Sequence, residues 1–296
     1  MPSWNNNHYS YLNGAEAVVL ETTAESNFMP TAKEIEPYVQ ELTLIALCSP
    51  QNPTGTVFTK EGLSEICELV LAENRRREGM QKPLYVMYDQ IYWELTMDGV
   101  MHYNPVELFS EMKPYTVYVD GLSKSLSATG VRVGWAAGPK GLIGKMKAIL
   151  SHVGAWAPKA EQIAAARFIA NEEAYEGFLT EQRERIAIRM NGLYAGFAKM
   201  QAEGLPIRVI QPQGAIYLTV QFELKGYTKP NGEMINTTEE ITAYVLDEAN
   251  LAIVPFYAFG APKDSTWYRL SIGTCSVEDI AVINANVRAA LEQLKK

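Results

Sequence analysis

Lys124 sits in Ser123-Lys124-Ser125, just after the apolar run Tyr115-Thr116-Val117-Tyr118-Val119 and the turn Asp120-Gly121. An amine at such a strand end can form an imine with an aldehyde, and the small hydroxyls beside it can donate to a phosphate. Arg132 suits the same phosphate, because a planar guanidinium grips it with two donors. Gly130 and Gly134 flank that arginine and permit close backbone approach. A second apolar run, Leu84-Tyr85-Val86-Met87-Tyr88, ends at Asp89, with Tyr92 shortly after. A carboxylate there can hold the proton of a pyridine nitrogen, and a phenol can donate to the ring's phenolic oxygen. Asn52, in the breaker cluster Ser49-Pro50-Gln51-Asn52-Pro53-Thr54-Gly55, offers an amide to that oxygen, with Pro53 fixing the loop. Arg269, inside the apolar run Tyr268-Arg269-Leu270-Ser271-Ile272, needs an anion if buried, and a substrate α-carboxylate would serve.

Each stretch also has a plainer reading. The Lys124 segment can be a polar loop between strands, and a lone lysine is usually a solvated charge. Asp89 can cap the next turn while Tyr92 packs on Trp93. Asn52-Pro53-Thr54-Gly55 can be a simple turn, and Arg269 can belong to a salt bridge within its own domain. Their shared position at strand ends, and their order, favour the joint reading: the set of groups needed to hold pyridoxal phosphate.

The elements that must place these residues are legible as alternating patterns. Leu42 to Cys48 reads as a buried strand. Thr59 then caps a helix with Leu63, Ile66, Leu69, Val70 and Ala72 on its apolar face. The runs ending at Asp89 and at Asp120-Gly121 are the next strands, and Val131 to Ala137 is a fourth. Strands alternating with helices imply an α/β unit with a mostly parallel sheet, in which ligands bind outside the strands' carboxyl ends. From Glu172 to Glu203 a long amphipathic helix is expected, with Met190 and Met200 as core filler. Beyond it come strands at Ile207 to Ile210, Ala215 to Phe222, Leu251 to Val254 and Trp267 to Ile272, and helices at Thr238 to Ala249 and Val277 to Lys295. The expected division is a large domain over 1–172, N-terminally incomplete, and a smaller α+β domain over 173–296.

The 296 residues can bury a sizeable core, and a hydrophobic share of 47 % with 20 % charged is ordinary for a globular protein. A net charge of −8 argues against nucleic acid as a partner. The one basic cluster, Arg75-Arg76-Arg77, reads as a solvated helix end where cations suit the dipole. Cys48, Cys67 and Cys275 match no metal-ligand spacing, so a reduced, cytoplasmic setting without a metal is expected. The first twenty residues lack a signal-peptide core, and no later segment is apolar enough to span a membrane.

With these residues in view, the chain resembles the class I/II aminotransferases of the aspartate aminotransferase fold, also called fold type I. The resemblance rests on Ser49 to Gly55, Tyr88-Asp89-Gln90-Ile91-Tyr92, Ser123-Lys124-Ser125 through Gly130-Val131-Arg132-Val133-Gly134-Trp135, and Tyr268-Arg269-Leu270-Ser271. Gln213-Gly214-Ala215-Ile216-Tyr217, Val254-Pro255 and Phe259-Gly260 extend it over essentially the whole chain. It implies that Lys124 forms the imine with pyridoxal 5'-phosphate and shuttles a proton, and that Asp89 pairs with the pyridinium nitrogen. Tyr92 and Asn52 would bond the phenolic oxygen, Arg132 and Ser123 the phosphate, and Arg269 with Asn52 the substrate.

The implied activity moves an amino group from an L-amino acid to a 2-oxo acid, in a homodimer. The alternatives are a carbon–sulfur lyase on the same scaffold, or a non-catalytic relative. Two departures stand out. Met1-Pro2-Ser3-Trp4 resembles a mid-domain segment of the family, and Gly121 stands where some relatives place a phosphate-binding serine.

Overall fold

Short β-branched and aromatic runs that alternate with helices need a sheet to bury them, and the chain builds two. The computed structural model describes residues 4–296, with side chains from residue 8 onward, so three residues of the Met1-Pro2-Ser3-Trp4 stretch lie outside the described residues. The chain divides into two compact units. One comprises 29–51 and 57–183; the other comprises 1–28, 52–56 and 184–296.

The first unit holds β1 (Leu44–Cys48), β2 (Tyr85–Asp89), β3 (Thr116–Gly121) and β4 (Gly134–Ala137), in that spatial order. β1 and β2 run parallel, as do β2 and β3; β4 is antiparallel to β3. The register sets Cys48 beside Asp89 and Asp89 beside Val119, so successive strands end at one edge of the sheet. The helix Lys60–Arg77 starts where Thr59 accepts from the Gly62 N–H, the bond expected of an N-cap. Leu63, Ile66 and Val70 are buried on its inner face with Leu84, Val86, Tyr88 and Met112, whereas Ala72 of the expected apolar stripe is exposed.

The basic cluster departs from its solvated reading. Arg77 is only 3 % exposed and donates to the carbonyls of Val39, at 2.7 Å, and Gln40, at 3.1 Å. Its Nε also donates to Glu73 Oε1 at 2.5 Å, while Arg76 grips Glu73 through two nitrogens. A buried guanidinium needs a counter-charge and acceptors in the plane of its fork, and this helix end provides both. Periodicity alone could not separate Arg77 from its two solvated neighbours.

The second unit holds β5 (Ile207–Val209), β6 (Tyr217–Phe222), β7 (Val254–Pro255) and β8 (Trp267–Ser271), ordered β5-β6-β8-β7 and antiparallel throughout. β7 is shorter than the expected Leu251 to Val254 strand. The divide between units falls inside the helix Glu172–Ala202, between Arg183 and Glu184. Met190 and Met200 of that helix are buried with Leu193 and Phe197, as core residues should be. The helices Thr238–Ala249 and Asp279–Glu292 are joined by Tyr244, whose hydroxyl donates to the Ala290 carbonyl at 2.7 Å. Thr237 and Glu240 form a reciprocal capping box at the start of the first of these helices. Phe28, Phe256 and Phe259 make a separate aromatic cluster edged by Trp267.

Hydrogen bonds from Arg76, and then from Arg77, hold the Glu73 carboxyl down at about 2 against burial, which acts the other way. Its folded value lies below its ordinary 4.5, so this contribution is complete above about 4.5 and is lost as pH falls toward 2. Glu73→Gln should therefore cost roughly 2–3 kcal/mol at neutral pH, since Arg77 loses its counter-charge. Urea melts of the two proteins should converge as pH drops from 4.5 to 2; a gap independent of pH would refute the assignment.

Candidate active site

Asp120 and Gly121, expected as a turn, are instead the last residues of β3, paired with Trp135 and Gly134 of β4. β3 passes directly into a single helical turn, Leu122–Ser125, that carries Lys124. Leu122 anchors that turn in an apolar cluster with Val133 and Ala165, and burying one such side chain is worth about 2 kcal/mol. Its N–H donates to the Val133 carbonyl at 3.2 Å. A Cβ on Gly121 would lie 2.9 Å from both the Gly134 Cα and the Val133 oxygen, so only glycine lets the Lys124 turn lie this close to the segment entering β4. A serine at this position would not fit this backbone. Gly134 is similarly constrained by the Asp120 carbonyl, at 3.0 Å, whereas nothing crowds Gly130.

Asp89 ends β2, and Tyr92 follows in the next turn, 2 % exposed. Lys124 Nζ lies over the Tyr92 ring, 5.8 Å from its centroid, so the two strand ends do bring the amine and the phenol together. Asp89 is half-buried; its Oδ1 accepts from the Ile91 N–H at 3.1 Å, and among the described residues no lysine or arginine pairs with it. Burial pushes its carboxyl above the ordinary range, with the Ile91 N–H opposing.

Arg132 takes up a left-handed conformation (φ 59°), is exposed, and donates to the Thr129 carbonyl at 2.7 Å. Thr129 in turn donates through its hydroxyl to the Ser123 carbonyl at 3.0 Å. The Arg132 loop is thereby tied back to the Lys124 turn through the backbone of Ser123.

Asn52 and Arg269 lie together in the other unit. The Gly55 carbonyl accepts from the N–H groups of Gln213 and Gly214, and Thr219 on β6 donates to the Thr54 carbonyl at 2.8 Å. Thr219 pairs in register with Arg269 on β8, and Arg269 Nη1 donates to Asn52 Oδ1 at 2.9 Å. The guanidinium carbon sits 4.7 Å from the Tyr217 ring centroid and 5.0 Å from that of Phe259. Arg269 Nε is buried without a hydrogen bond, and among the described residues no carboxylate pairs with this arginine, so the internal salt bridge is not found. A cation framed by aromatic faces, with an unspent donor, is ready to receive an anion.

Sequence reasoning passed over a further cluster. The Asp120 carboxylate accepts from Trp93 Nε1 at 3.0 Å, from Gln90 Nε2 at 3.3 Å and from the Gly121 N–H at 2.7 Å. Burial lifts its carboxyl to about 6, against those three donors. Its place at a strand end was visible, but read only as a turn signal. The half-buried His102, its ring 6.2 Å from that of Trp93, meets the Ser49 carbonyl at 3.1 Å and is pushed down to about 4 by desolvation, so it is neutral at pH 7.

The mostly parallel α/β unit thus gathers a lysine, an acid and a phenol near the carboxyl ends of neighbouring strands, where sheets of this kind bind ligands. The sequence matches the family described as aminotransferase class I and II over residues 2–285, and the chain belongs to that family. It is 31 % identical over 256 residues to an aspartate aminotransferase of Bacillus sp. strain YM-2, covering 85 % of this chain and 59 % of that protein. It is also 31 % identical to the Geobacillus stearothermophilus aspartate aminotransferase, covering 89 % of this chain and 61 % of that one. The chain thus spans about three fifths of the length of these relatives. The crystal structure of the Rhizobium meliloti aspartate aminotransferase superimposes with a TM-score of 0.88 at 26 % identity, covering all of this chain and 70 % of that one. The expected fold is therefore the observed one.

Gly55 sits at φ 70°, and a Cβ there would lie 2.3 Å from the Tyr217 carbonyl oxygen. Gly55→Ala should thus push the Asn52 loop off β6 and cost about 2 kcal/mol or more. Thermal melts would show the loss, and an unchanged midpoint would contradict this docking.

Proposed function

We propose that this chain is a pyridoxal-phosphate-dependent aminotransferase that passes an amino group from an L-amino acid to a 2-oxo acid. The observation that carries the reading is Asp89, a desolvated carboxylate without a cationic partner among the described residues, on a strand in register with β3, which leads into the Lys124 turn. A protonated ring nitrogen would supply the missing charge and bring the acid's proton affinity back down. Pyridoxal phosphate, when bound, supplies the aldehyde for the amine and an electron-withdrawing ring.

In this reading the Lys124 Nζ would hold the cofactor's aldehyde, and the same amine would carry the proton taken from the substrate's α-carbon. Tyr92 donates to the ring oxygen, with Asn52 as a second candidate for that bond. Ser123 and Arg132 meet the phosphate, Arg132 by leaving the Thr129 carbonyl. Arg269 takes the substrate carboxylate, oriented by Asn52 and framed by Tyr217 and Phe259. The unit of 29–51 and 57–183 serves as the cofactor-binding large domain, and the C-terminal unit as the smaller one. The names of the relatives make L-aspartate the first donor to test.

Two further proposals concern the setting. Among the described residues Cys48, Cys67 and Cys275 form no disulfide, in keeping with the reducing, cytoplasmic setting we propose. Among the described residues no helix is long and apolar enough to cross a membrane. A homodimer is supported by the helix Lys140–Val153, which buries none of its residues and exposes Ile149 and Val153, with Trp156 exposed just beyond. Ile149→Glu with Val153→Glu should shift the mass in multi-angle light scattering from dimer to monomer; a parent protein that already runs as a monomer would refute the dimer.

Adding pyridoxal phosphate should give a visible band, and borohydride should fix the label on Lys124. A colourless protein, identical to Lys124→Ala, would favour a non-catalytic relative. Release of pyruvate and ammonia without any oxo-acid acceptor would favour the lyase. Arg269→Ala should keep the band while raising the donor KM roughly 100-fold; loss of the band instead would overturn the role given to Arg269.

A further inference from the structure

Asp120 connects two turns that the proposed chemistry needs held together. One turn, after β2, carries Asp89 and Tyr92, and from it come both side-chain donors to this carboxylate: Gln90 and Trp93. The other segment, the end of β3 and the helical turn after it, carries Lys124, and the N–H of Gly121, the last residue of β3, is the third donor. The carboxylate therefore takes two donors from the phenol-bearing turn on Oδ2 and, on Oδ1, one from the strand end that leads into the Lys124 turn. Bonds to a charged acceptor are about twice as strong as neutral ones. The two segments also share the parallel ladder of β2 and β3 as far as Asp89 and Val119, a bond from the Gln90 N–H to the Val119 carbonyl, and the contact of the Lys124 amine with the Tyr92 ring.

We infer that Asp120 is a positioning residue, fixing the Lys124 turn against the Tyr92 turn so that the amine stays over the phenol ring. The inference deepens the functional reading above and rests on it for the meaning of Lys124. The geometry it explains, Lys124 Nζ at 5.8 Å from the Tyr92 centroid, does not depend on that reading. It also gives Trp93 a purpose that packing does not: the residue is 41 % exposed, yet its indole nitrogen is committed to Asp120.

Hydrogen exchange on the cofactor-free protein tests the clamp. In Asp120→Ala, amides of residues 90–95 and 121–126 should exchange about tenfold faster together, while β1 and the helix Lys60–Arg77 keep the parent's protection. Asp120→Asn, which retains one acceptor oxygen, should recover much of that protection. Unchanged protection in either segment would overturn the inference. Should Asp120→Ala fail to fold, Trp93→Phe removes a single donor and is read by the same measurement. In the presence of pyridoxal phosphate, Asp120→Ala should need about tenfold more cofactor for half-maximal borohydride-trapped label on Lys124, with Asp120→Asn in between. Identical labelling curves would overturn the positioning role. A parent protein that takes no label on Lys124 would instead refute the functional reading, and the exchange data would still decide the fate of the clamp.

Discussion

Register between two parallel strands is the constraint from which the candidate site follows. Because β2 and β3 run side by side with Asp89 opposite Val119, whatever follows each strand must emerge at the same edge of the sheet. Polar groups gathered there are far apart in sequence but close in space, which is the general reason α/β sheets bind ligands at their carboxyl ends. Antiparallel pairing of the same strands would have put these turns at opposite ends. The strand ends also explain why Asp89 is desolvated without being neutralised: the sheet supplies burial, and no cation pairs with the acid among the described residues.

Crowding refines what register begins. Gly121 and Gly134 meet with no room for a Cβ, so the short turn carrying Lys124 rests on backbone rather than on side chains. Leu122 turns inward beside Val133 and Ala165. The amine is thus held by an apolar anchor just before it and by polar ties through Ser123 and Asp120. In the other unit, the tight seat of Gly55 against the Tyr217 carbonyl brings Asn52 to Arg269 in the same manner.

The sequence made much of this readable, because strand runs and breakers are local signals. Leu84 to Asp89 and the Thr59-capped helix need only nearby residues to be recognised, and their observed limits differ little from those expected. Read from the residues alone, Asn52 and Arg269 are two separate candidates, since nothing local links positions so far apart; the family resemblance is what sets both on the substrate. Arg77 and Asp120 were misjudged for a shared reason. Each looks like surface punctuation, an arginine in a basic run and an aspartate in a turn, and only the folded chain shows that one is buried on Glu73 while the other collects three donors. The left-handed backbone of Arg132 was likewise invisible, since non-glycine residues rarely adopt it.

The short segment Asn52 to Thr56 sits among residues synthesised far later. It clusters with 184–296, although it interrupts the stretch that builds the other unit. While the polypeptide leaves the ribosome, the Thr54 carbonyl and Gly55 must wait for Thr219, Gln213 and Gly214 before their bonds can close. The C-terminal unit therefore cannot mature from its own contiguous stretch alone, and the loop-closure entropy of that wait falls on the last steps of folding.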